Sequence, residues 1–344
     1  MHKLTQYISA WENIGQQIKE RLYPGSSNVA PSAFRVMVRK EVADQVRSWR
    51  FLVLLFLILL TCFGSLYTSI TNLPDALKQN DAEKGFLFLK LFTVSDGTLP
   101  PFHVFIGFLG PLLGIAMGFD AVNSEQNRGT LSRIMSQPIH RDYLINAKFV
   151  SALIVISVLF FSLGFMVMGL GLFIIGIPPS ASEFLRIICF LCLSVCYVAF
   201  WLNLSILFSI RFKQAATSAL TAIAVWLFFT IFYQIIIKMV ARVMLPDSAA
   251  SPEEIMGYQS FFMNLMRLVP SQLFSDATVT LLMPSVRSLG PLTMEQVYGA
   301  IPSPLPLGQS LLIVWPQLTG LIAATIACFA GSYYLFMRRE IRAR

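Results

Sequence analysis

The sequence predicts an all-α integral membrane protein with six transmembrane helices. Three observations predict it. The chain is 56% hydrophobic and 13% charged, with a mean hydropathy of +0.67, a balance that a water-soluble fold could carry only with a very large exposed apolar surface. Six windows, at 51–69, 102–119, 149–177, 184–210, 215–237 and 311–337, each supply the ~20 mainly apolar residues that a span needs. The charged residues gather at the ends of these windows, so the span centres lack the acids and bases that mark a proton-coupled carrier.

Residues 1–50 read as an arm ahead of a six-helix domain at 51–344. Within the arm, Phe34, Met37, Val38, Val42, Val46 and Trp49 recur at three- and four-residue steps, with Arg35, Arg39, Lys40, Asp44 and Arg47 opposite them. That spacing predicts an amphipathic helix over about 34–49 lying in the membrane interface. The first apolar run begins at Phe51, too late and too long for a cleaved signal peptide. After it, residues 86–94 are apolar enough to fold back onto the membrane surface.

The second span carries Gly110, Gly114 and Gly118 at four-residue steps, one face on which a neighbouring helix can pack closely, and Pro111 predicts a kink beside it. The third and fourth spans form a hairpin around Pro178-Pro179-Ser180. All five cysteines fall inside spans, where they build no disulfide framework, and no metal site is assigned. Asn203, Ser205, Thr217 and Thr221 are uncharged polar residues of the fourth and fifth spans, suited either to a translocation path or to hydrogen bonds between helices. The loop at 238–310 is the largest outside the membrane. Ser251-Pro252-Glu253-Glu254 starts a helix there, with Ser as N-cap and acids in its first turn.

Lys and Arg concentrate in the N-terminal arm, between the second and third spans, between the fourth and fifth, and in the tail. Cytoplasmic flanks retain positive charge, so both termini are expected in the cytoplasm. The net charge of +8 then reflects topology and contact with anionic lipid, with no nucleic-acid partner.

The longest polar run between two apolar segments is 120–148. Pro138 bars Gln137 from the helical region, which predicts two short polar helices on either side of that turn. Gly129 supplies a permissive backbone position where another protein could approach closely. Glu125, Gly129-Thr130-Leu131, Gln137-Pro138, Arg141 and Lys148 follow the pattern E-x3-G-T-L-x5-Q-P-x2-R-x6-K, preceded by Phe119-Asp120. This pattern resembles the membrane permease of type-2 ATP-binding-cassette (ABC-2) transporters.

The resemblance implies that Asp120, Glu125, Gly129, Thr130, Leu131, Pro138 and Arg141 couple the permease to an ATP-binding subunit. It further implies two copies of that subunit, a second permease that is identical or related, and export across a prokaryotic inner membrane. An accessory protein on the outer side is a further expected partner. The chain has no G-x4-G-K-[ST] loop, so ATP and Mg²⁺ are expected in the partner and no cofactor in this chain. No His-Glu-x-x-His or G-x-S-x-G motif is present either, and the chain is not expected to be an enzyme. A secondary carrier or channel, and a non-transporting anchor or sensor for an ATPase, are the alternative readings.

Overall fold

The computed structural model describes residues 33–79, 86–95, 97–137, 140–176, 178–244, 251–286 and 304–338. Among them the chain is helical, without a strand, and six helices are long and apolar enough to cross a membrane. The first is α2 (Trp49–Gln79), preceded by α1 (Ala33–Val46) and followed by the short α3 (Leu87–Thr93). The second is α4 (Phe102–Gly118), which runs on into the short helices α5 (Asn123–Asn127) and α6 (Thr130–Met135). The third and fourth are α7 (Arg141–Ile175) and α8 (Ala181–Arg211). The fifth is α9 (Ala215–Leu227), a π-helical turn at Phe228–Phe232, and α10 (Tyr233–Val243). Then come α11 (Pro252–Met266), α12 (Pro270–Leu282) and the last span, α13 (Leu307–Arg338).

The fourth span is the centre of the bundle. Of its most apolar window 67% is buried inside the chain, against 17% for the fifth and last spans. Its start is fixed by a capping box, in which the Ser180 hydroxyl accepts from the Glu183 amide and the Glu183 carboxylate accepts from the Ser180 amide. The second, third, fifth and last spans and α12 all pack on it. Trp201 and Tyr197 are buried along its length, and Tyr197 stacks on Phe274 of α12 at 4.4 Å.

Gly110, Gly114 and Gly118 are where α4 meets α8. A Cβ on Gly114 would lie 2.8 Å from the Val198 carbonyl oxygen and 3.0 Å from the Leu202 nitrogen, and one on Gly118 would lie 2.8 Å from the Leu202 oxygen. On Gly110 it would meet the Val198 side chain. At Gly114 and Gly118 the two helices approach closely enough for backbone to meet backbone.

Three local expectations are corrected. Residues 86–94 do not lie on the membrane surface: Phe88 to Phe92 of α3 are buried within the end of the bundle opposite α5. There Gly171 leaves room for Leu91, and the Glu183 carboxylate accepts the Phe88 amide at 2.8 Å, satisfying one of the free donors at that helix start. The predicted helix over 34–49 is interrupted at Arg47-Ser48, where the Ser48 hydroxyl accepts the Phe51 amide and starts a new helix. Its apolar face rests on the third span and not simply on lipid, since Phe34 packs edge-on against Tyr143 and Gln45 donates to Ser151. Finally, both short helices of the 120–148 stretch precede Gln137, split at Gly129, and the residues from Arg141 onward already belong to the long third span.

Candidate coupling site

At one end of the bundle, α1, the start of α2, the end of α4 and the short helices α5 and α6 surround a cleft of about 420 Å³. The short helices are held to the core from below. Ser209 of α8 accepts the backbone amides of Val122 (2.9 Å) and Asn123 (3.2 Å), and the Asn127 side chain donates to the Lys213 carbonyl (3.0 Å). Leu131 is buried, so it anchors α6 and is not part of the exposed surface. Between α5 and α6, Gly129 adopts φ +69°, and its exposed Cα has nothing within 4 Å of an added Cβ. Thr130 closes this turn by donating its hydroxyl to the Glu125 backbone carbonyl (3.1 Å).

The carboxylate of Glu125 does something else. It accepts from Lys148 Nζ at 2.7 Å, and the same ammonium reaches Glu41 of α1 at 3.1 Å. The side chains of Lys148, Glu41 and Glu125 are only 6%, 9% and 13% exposed. Such a cluster is held by mutual pairing, because any one of these charges left alone out of water would be strongly unfavourable. Lys40 adds a second cation at 3.4 Å from both Glu41 and Asp44. Burial opposes its charge, but the carboxylates of Glu41, Glu125 and Asp44 outweigh that and hold its pKa above the ordinary lysine value. The stability this gives is complete below the ordinary lysine pKa and is lost only as pH rises through the higher folded value.

Two further contacts tie the cleft to the spans. Arg50, at the start of α2, pairs with Asp120 at 2.6 Å and lies 4.8 Å over the Phe119 ring. Arg141, at the start of α7, donates to the Phe336 carbonyl of the last span at 2.8 Å and stacks on its ring. The structure therefore gathers Asp120, Glu125 and Thr130 around one cleft, puts Gly129 on the exposed turn beside it and Leu131 in the core beneath α6, and gives Arg141 to the junction between third and last spans. Pro138 lies outside the described residues.

The four polar span residues are not brought together. Asn203 and Ser205 are fully buried, with Ser205 donating to the Ile115 carbonyl (3.0 Å) and Asn203 facing Thr325 of the last span. Thr217 and Thr221 lie on α9, where Thr221 donates to the Thr217 carbonyl and Thr217 is exposed. The sequence reading missed Glu41 altogether and counted Arg50 only as a topology charge. A signal for Glu41 was present: Phe34, Met37, Val38, Glu41, Val42 and Gln45 fall at helical steps, so an acid interrupts the apolar stripe and needs a buried partner.

No curated protein matches the chain. A family model described as ABC-2 family transporter protein matches residues 35–341, from the first turn of α1 to beyond the last span. With six helices apolar and long enough to cross a membrane, the chain belongs to the ABC-2 family of transporter proteins and is a membrane permease.

Proposed function

We propose that this permease is the membrane half of an exporter. Two permease subunits work with two copies of a separate ATP-binding subunit, which holds ATP and Mg²⁺. The protein sits in a prokaryotic cytoplasmic membrane with both termini and the charged cleft on the cytoplasmic side. The single observation that carries this reading is the buried Glu41–Lys148–Glu125 cluster, which joins α1, the short helix α5 and the third span through one ammonium.

The exposed turn at Arg128 and Gly129 is the surface offered to the ATP-binding subunit. A push on that turn displaces α5. Because Glu125 grips Lys148 with both side chains largely buried, the displacement passes into α7, and the Arg141 bond to Phe336 carries it to the last span. The path runs between two permease subunits, and Thr217 and Thr221 of the fifth span are its candidate lining.

Two tests follow. Gly129→Trp places a bulky group on the open turn, where an added Cβ has nothing within 4 Å, at a backbone cost of ~1–2 kcal/mol for the left-handed conformation. The permease should accumulate in the membrane while co-purification of its ATP-binding subunit falls at least tenfold; wild-type co-purification would show that this turn is not the docking surface. For orientation, a cysteine at Ser260 of α11 should react with an impermeant maleimide added outside the cell, and one at Gln137 only after permeabilisation. The reverse pattern would invert the assignment.

A further inference from the structure

We infer that Arg186 is a positioning residue that clasps shut the end of the bundle opposite the charged cleft, as the joint that opens during transport; this rests on the exporter reading above. Arg186 lies near the start of α8 and is fully buried. Among the described residues no carboxylate is within ion-pair range of it. Its guanidinium instead donates to three neutral oxygens: the Leu281 carbonyl at 3.0 Å, the Ser310 hydroxyl at 3.0 Å and the Leu305 carbonyl. Those acceptors belong to the end of α12, the first turn of α13 and the segment leading into it. Three residues earlier on α8, Glu183 accepts the Phe88 amide and so holds α3. One turn of the central helix thus fastens three elements.

A buried cation offset by dipoles and by the Phe86 ring at 5.9 Å, with no opposite charge beside it, is costly, and an apolar side chain of similar volume could fill the same space. The cost has a reason if the contact must open. Separating an apolar seam exposes apolar surface to water, whereas separating this one exposes a guanidinium and carbonyls that water solvates well. The planar fork of Arg also reaches several acceptors at once, which a Lys ammonium does less well.

Thr278 of α12, three residues before the Leu281 acceptor on the same helix, is buried and makes a reporter when changed to Cys. The test uses membranes holding the permease with its ATP-binding subunit and an impermeant maleimide, read against the same chain with Thr278 intact. In the parent chain, Thr278→Cys should react slowly at rest and at least tenfold faster during ATP turnover. With Arg186→Met it should react at the fast rate without ATP, and Arg186→Lys should restore part of the protection. Unchanged slow labelling in Arg186→Met overturns the inference. If that variant does not accumulate, Ser310→Ala removes a single acceptor, and labelling raised above the parent supports the clasp while parental labelling overturns it. Raised labelling in Arg186→Met with no effect of ATP on the parent keeps the clasp and overturns the exporter reading instead.

Discussion

Lys148→Met leaves Glu41 and Glu125, both largely buried, without their shared cation, and transport falls to background. Removing one partner of a buried ion pair costs about 3–5 kcal/mol, because the charge left behind keeps its desolvation penalty. Here two carboxylates lose the same cation, and the remaining cation near them, Lys40, lies on the solvent side with 57% of its side chain exposed. The expected consequence is local: α1 and α5 separate from α7, while the spans, whose packing does not involve Lys148, stay assembled. The check is membrane accumulation, ATP-subunit co-purification, ATP turnover and transport measured on one preparation. Normal accumulation with turnover uncoupled from transport is the expected pattern. Lys148→Arg, which keeps the charge, should recover part of the transport.

Gly114→Val has a different effect, on assembly. Ordinary overpacking of a core costs ~1–3 kcal/mol because side chains can shift. At Gly114 the obstacles are the backbone oxygen of Val198 and the nitrogen of Leu202, which cannot move without displacing the central helix. The second and fourth spans must part, and folded permease recovered from the membrane should drop more than tenfold. By contrast Gly169→Ala, on the third span with nothing within 4 Å of an added Cβ, should be recovered at the wild-type level. Equal recovery of the two would show that the α4–α8 contact is looser than the structure has it.

Much of the bundle was legible because bilayer thickness fixes the length of an apolar helix and glycines at four-residue steps fix a contact face. The capping box at Ser251 likewise needs only neighbouring residues, and α11 starts there with Glu254 in the expected place. What could not be read was long-range pairing. Glu125 shows its place on a short helix, but its partner Lys148 is a helix and a turn away and Glu41 lies beyond the whole first span. Nor does composition distinguish an apolar segment lying on a membrane from one inserted between spans. For α3 the difference is made by Glu183 and Gly171, both remote in sequence. Arg186 was hidden for the same reason, since its acceptors are backbone carbonyls, which any sequence supplies.

The central claim is that the Glu125–Lys148 bond makes α5 and α7 move as one piece. It is tested most directly by pulsed electron paramagnetic resonance between nitroxides on Gln126 and Ile154, both on exposed positions, in the complex with its ATP-binding subunit and with the native cysteines replaced. The account predicts the same distance with and without ATP in the parent chain, and an ATP-dependent change of several ångströms once Glu125→Gln breaks the ion pair. A parent distance that shifts with ATP as much as the Glu125→Gln distance would contradict it.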